Sequence, residues 1–263
     1  MFVLSIPCQA IDFNAKVPGQ LPVEIDSQQG ITCIKKGQIC KARGNVIVTH
    51  GQTKMQCDTL TAFFSLDEKG MPSDLKKLEA HGNIRLSTKD QRKKGWSQKA
   101  VYDVASGHAH FTGNNLKLYL DGLVITSEES MDFFEQEGRA VATGKARAQK
   151  DDKILSADLL MAYFTQKRSL DHVTATGNVI VTTPETAARG NKGNYHVQSE
   201  TARLTGNVKL TRCEGQMEGN AAEINLKTGV ARLLNAFNEE NSSSSPGRVK
   251  LLLTPQKTPK VPD

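Results

Sequence analysis

The chain has 263 residues, 38% of them hydrophobic and 24% charged, enough apolar content to bury a sizeable core and to exclude wholesale disorder. Its 34 Lys and Arg exceed its 28 Asp and Glu, a net charge of +6 that suits anionic partners. No basic run is interleaved with aromatics and no groove-reading motif occurs, which argues against nucleic acid as a partner.

In chain order, the N-terminal MFVLSIPCQA (residues 1–10) reads as the tail of a signal peptide. Cys8 and Ala10 occupy the −3 and −1 places of a cleavage site after Ala10. The apolar run is short and no basic residue precedes it. A lipoprotein box at Cys8, disfavoured by Pro7, and an unexported apolar N-terminus are the alternatives. No other stretch approaches the roughly 20 apolar residues that span a bilayer, so the mature chain is expected to be soluble. Residues 11–20 read as a linker.

The stretch CIKKGQIC reads as a hairpin with Lys36 and Gly37 at its tip, placing Cys33 opposite Cys40. A bridge between them suits an oxidising compartment. Zinc is poorly supported, because no Cys pair has the spacing of a zinc finger. Cys57 and Cys213 read as small buried strand residues.

GNVIVT occurs twice, at 44–49 and 177–182, each reading as a Gly-Asn turn that leads into a strand. Comparable glycines recur at Gly44, Gly82, Gly113, Gly144, Gly177 and Gly206. Apolar residues follow most of them at the second and fourth places, with Ile47, Arg85, Arg147, Ile180 and Lys209 between. This period of two predicts strands with one face buried. TGNNLKLYL is shifted by one, and a bulge at Gly113 would restore the facing of Leu116, Leu118 and Leu120.

A second strand follows each glycine strand. MQCDTLTAFF (55–64) aligns without gaps on LSADLLMAYF (155–164), and the same offset of 100 carries Gly44 onto Gly144. The odd step from Cys57 to Leu60 places both residues inside only if a bulge sits at Asp58, and likewise at Asp158. Turn signals such as VASGH and FEQEGR separate the units. A β-only repeat of about 30 residues cannot cover its own apolar face, so the units must stack into one core. The expected architecture is all-β, with stacked antiparallel repeats. The folded body is placed at 21–237, undivided, followed by a polar loop at 238–247, an edge strand at 248–254 and a disordered tail at 255–263.

Catalytic constellations do not appear. His108 and His110 share one strand face with no third ligand evident in the sequence. Asp103, Asp121, Asp158 and Asp171 are scattered, and no phosphate loop or nucleophile elbow occurs. No enzyme activity, metal or cofactor is expected.

LPVEIDSQQGI (21–31), the repeated GNVIVT, the A-D-x-L-x-A-Y-F strand at 157–164 and LTGNVKL (204–210) together resemble the LptA/OstA family of periplasmic lipopolysaccharide carriers. The resemblance spans roughly 21–236. It implies a twisted, open β-jellyroll that stacks end to end with similar folds, docking on an LptC-like inner-membrane protein and an LptD-like outer-membrane protein, with head-to-tail self-association. Without an N-terminal membrane helix or a long C-terminal barrel, the chain is most similar to the free bridging component in the periplasm. Its cargo would be the acyl chains of lipopolysaccharide. The trough expected to hold them is lined by Val46, Val48, Met55, Leu60, Ile84, Leu86, Leu116, Leu118, Leu160, Val179, Val181, Val208, Leu210 and Ile224. The same residues equally suit a closed core. Val23 and Ile25 mark an N-terminal docking edge, and Val249, Leu251 and Leu253 a C-terminal one. Arg85, Lys117, Arg147 and Lys209 are candidates for lipid phosphates, although outward charges on strands are normally solvated. An Asp at Ile84 or Leu160 is expected to weaken lipid uptake while the fold survives. A right-handed β-helix acting on polysaccharide and a structural β-repeat protein are the alternatives.

Overall fold

The computed structural model describes residues 23–34, 38–66, 72–166, 169–212, 215–225, 227–228, 230–234 and 250–253. The signal-peptide remnant, the linker, Lys36, Gly37, Cys213, the loop at 238–247, Val249 and the tail lie outside them. Among the described residues eighteen strands join one sheet, and every paired ladder is antiparallel. They are β1 (Val23–Asp26), β2 (Ile31–Ile34), β3 (Ile39–His50), β4 (Thr53–Leu66), β5 (Pro72–Thr88), β6 (Lys93–Asp103), β7 (His108–Thr112), β8 (Leu116–Leu120) and β9 (Leu123–Ser127). The second half contributes β10 (Ser130–Phe134), β11 (Arg139–Lys150), β12 (Lys153–Phe164), β13 (Leu170–Thr182), β14 (Thr186–His196), β15 (Thr201–Arg212), β16 (Gly215–Asn225), β17 (Ala231–Leu234) and β18 (Lys250–Leu253). The all-β jellyroll expected from the sequence is the observed class.

The Gly-Asn pairs are not turns between strands. They are corners inside them. At Gly82–Asn83 the φ angles are 77° and 45°, and at Gly177–Asn178 they are 76° and 47°. Two successive left-handed residues bend an extended strand sharply without ending it. The register of each long ladder shifts at these corners, for example between Arg43 and Val46, and between Thr176 and Val179. Each long strand is thereby folded into two halves that form two facing layers around one core. At Gly113 the corner opens further and splits the strand into β7 and β8, yet Leu116 and Leu118 face inward as the shifted pattern requires.

The bulges expected at Asp58 and Asp158 are present, as register shifts between Gln56 and Thr59 and between Ser156 and Leu159. Cys57 and Leu60 are both buried as a result. Each bulged Asp lies over the corner glycine of the next strand. Asn83 Nδ2 donates to Asp58 Oδ2 at 2.9 Å, and Asn178 Nδ2 to Asp158 Oδ2 at 2.8 Å. A Cβ on Gly82 or Gly177 would lie 2.2 Å from that carboxylate oxygen. The corners are therefore stacked rungs, each filled by a side chain from its neighbour.

Ladders of the two halves superimpose in register. Val23 pairs with His50 and Leu123 with Lys150, Ile31 with Ala42 and Met131 with Ala142, Val46 with Cys57 and Ala146 with Ala157. Strands β9 and β10 thus repeat β1 and β2. They differ in one respect: β8 and β7 cover their second edges, through the β8–β9 and β7–β10 ladders. Here the two halves are joined.

Candidate functional site

Thirteen of the fourteen expected lining residues are buried, and Val181 is partly buried against the same core. They come from both layers and from both halves, so the corners do bring them together. Burial is deepest beside the corners, with Val46 and Val179 fully enclosed. The depth of Ile84 (1% exposed) and Leu160 (6% exposed) corrects one expectation: an Asp at either site would strand a charge in the core and break the fold.

Away from the corners, the interior of β9–β13 opens, while Leu118 of β8 and Ala188 of β14, at the same level, stay buried. Leu116, Ala146, Ala157 and Val179 are buried in one layer, whereas Leu120, Ile125, Ala148, Leu155 and Val181, farther along the same strands, are partly exposed. In the facing layer Met131 and Leu160 are buried, and Phe133 is half-buried against the same core. The second half is also lined by smaller groups. At the offset of 100, Ala146, Ala148 and Ala157 stand where the first half has Val46, Val48 and Cys57. A small cavity lies between the layers, lined by Leu86, Gly95, Trp96, Phe111, Leu118, Met131 and Phe133, with Lys117 at its margin. The space between the layers is thus sealed along the corners, and its far margin in β9–β13 is apolar and half-exposed.

Arg85, Lys117, Arg147 and Lys209 are all exposed, and of the four only Lys117 borders the small cavity. Lys117 lies over the Trp96 ring at 5.7 Å, and Lys209 lies 3.5 Å from Glu218. Arg85, Arg147 and Lys209 are not among the residues that line the cavity.

Among the described residues, β1 and β2 pair only with β3, and β17 and β18 pair only with β16, so each end of the sheet presents two half-strands with a free edge. Val23 and Ile25 lie on β1, partly buried. Leu251 pairs with Met217 and Leu253 with Gly215 in β18. The sequence missed β2 and β17 as edge strands. All four residues of β2 are exposed, Ile31 and Ile34 among them, whereas β17 half-buries Ala231 and Leu233. Cys33 and Cys40 face each other across β2–β3 and form a disulfide.

A polar cluster sits on the outer face where the halves join. His108 and His110 of β7 share that face, and Asp132 of β10 lies directly across from His110. This is the third group absent from the sequence reading. His108 Nε2 lies 2.9 Å and His110 Nδ1 2.6 Å from the same Asp132 Oδ1, and Ser130 Oγ donates to Oδ2 at 2.9 Å. Burial alone would raise the Asp132 carboxyl, but hydrogen bonds from His110, His108 and Ser130 outweigh it and hold the group below the usual carboxylate range.

Compared with known proteins, the sequence matches the profile of a family described as LptA/(LptD N-terminal domain) LPS transport protein. It does so twice, over residues 24–129 and 124–230. The two matches coincide with the two halves related by the offset. No curated protein matches significantly. Among solved structures, the chain is similar to LptH of Pseudomonas aeruginosa, described as the LptA homologous periplasmic component of the conserved lipopolysaccharide transport device. The identity is 16% and the TM-score 0.45, over 51% of this chain and 95% of that one.

Proposed function

Because this chain belongs to the LptA/LptD N-terminal-domain family of lipopolysaccharide transport proteins, we propose that it is a periplasmic lipid-transfer bridge holding lipopolysaccharide acyl chains between its two layers. The observation that carries this reading is the burial gradient of β9–β13, from sealed corners to a half-exposed apolar mouth. Acyl chains entering there gain about 25 cal/mol for each Å² of apolar surface withdrawn from water. The aliphatic lining is non-directional, so a chain can slide along it. The alanines of the second half leave the layers room to part around it. Cargo would pass from an LptC-like partner at the inner membrane to an LptD-like partner at the outer membrane.

Docking is supported by the internal joint. There β7 and β8 cover β10 and β9, which repeat the free-edged β1 and β2. A second copy or an LptC- or LptD-like partner would add strands to the chain's ends in the same way.

A photo-crosslinking amino acid at Leu155 or Val181, on the mouth, tests the reading against one at Arg147, on the outer face. Lipopolysaccharide should be captured from the first two positions and not from the third. Equal capture from all three, or none from the mouth, would overturn it. Val181→Asp, at a partly exposed site that tolerates charge, should weaken lipopolysaccharide binding about tenfold, which corresponds to about 1.4 kcal/mol.

A further inference from the structure

The outer face of the joint carries an arrangement that lipid transfer does not use. We propose that His108, His110 and Asp132 bind a divalent transition-metal ion of the zinc type, tying β7 of the first half to β10 of the second. One ligand atom from each residue lies within 4.8 Å of the other two. Both imidazole nitrogens converge on a single carboxylate oxygen instead of spreading over the two. A tetrahedral zinc ion with bonds of about 2.0–2.1 Å keeps its ligand atoms roughly 3.3 Å apart. The observed 2.6 and 2.9 Å need widen only by side-chain rotation. Two imidazoles and a carboxylate suit zinc, cobalt or nickel, while calcium and magnesium select oxygen alone. A fourth position faces solvent for a water, since both His side chains are about one-third exposed.

Supporting contacts fix the ligands. Ser130 holds the second oxygen of Asp132, and the Phe134 ring stacks on His108 at a centroid distance of 4.4 Å. The charged neighbours in register are Asp103 on β6, beside His108, and Arg139 on β11, beside Phe134. The cluster is not a property of the repeat. Thr32 stands where Asp132 would fall at the offset of 100, and Thr201 and Arg203 occupy the β15 places of His108 and His110. Only the joint can assemble it.

The test uses the full chain stripped with a chelator and titrated with zinc or cobalt chloride alone. Expected are one equivalent per chain, a cobalt visible spectrum without thiolate bands, and at least about tenfold weaker binding in His110→Gln and Asp132→Asn. Zinc should also slow amide exchange at Ala109 and Phe133, which pair across β7–β10, by about tenfold or more in the parent chain and not in His110→Gln. If Asp132→Asn loses its strand circular dichroism, the half-exposed His110→Gln carries the comparison. Absent stoichiometric uptake, or uptake unchanged in His110→Gln, would reduce the three residues to a hydrogen-bonded cluster and overturn the proposal.

Discussion

Gly177 and Asp158 show at the residue scale why the repeat is spelled as it is. The glycine adopts φ 76°, which costs an L side chain strain, and the Asp158 carboxylate fills the space a methyl would need. Gly177→Ala should therefore lower unfolding free energy by about 1–3 kcal/mol in denaturant titration. Asp158→Ala, which frees the space but loses the bond to Asn178, should relieve part of that loss when combined with it. Cys57 makes a second case. Burial, reinforced by the Asp58 charge, pushes its thiol from 9.0 up to about 11. The native thiol should thus resist alkylation at pH 8 while the unfolded chain reacts. Because the folded state holds its proton to higher pH, this group's contribution is fully present below pH 9 and is lost as pH rises from 9 to about 11. The inward facing of Cys57 and Leu60 was legible from their odd spacing. The corner was not, because a left-handed Gly-Asn pair is spelled alike in a hairpin turn and in a bent strand.

At the element scale the weakest strand is β2. It exposes all four residues and pairs only with β3 among the described strands, so burial contributes little to holding it. The Cys33–Cys40 bridge substitutes for that missing burial, closing a short loop worth about 2 kcal/mol in a chain-entropy account. Reducing it, or making Cys33→Ser with Cys40→Ser, should speed amide exchange across β2–β3 and weaken the proposed end-to-end association in sedimentation, leaving the remaining ladders protected. If β2 stays protected after reduction, the bridge is not what holds the edge. The pairing was visible in CIKKGQIC because a hairpin fixes its own register. The Asp132 partner of His110 was not, since it comes from a strand 22 residues away, whose register depends on the whole stack.

On the scale of the molecule, each layer is fourteen described strands deep, one running through β2–β7 and β10–β17 and the other through β1, β3–β6, β8–β9, β11–β16 and β18. At about 4.8 Å per strand the stack is roughly 60 Å long. Its end strands expose Ile34 at one extreme and Leu252 at the other. Ile34→Lys or Leu252→Lys should weaken the proposed end-to-end contact by about tenfold in dissociation constant, with an unchanged melting temperature. A melting temperature that falls instead would mean the side chain supports the fold and not the contact. The length of the stack was legible in the recurring glycines. The repetition behind the two family units was legible in the offset of 100, but the joint between them was not, because it continues the hydrogen-bond ladder without a break.

That joint has a consequence for any array made of these chains. A contact between separate molecules dissolves when either becomes scarce, whereas tethered neighbours meet at an effective concentration set by the connecting peptide. Falling supply would therefore loosen such an array only at its chain ends, and every intervening junction would persist, indifferent to how many copies the cell has made.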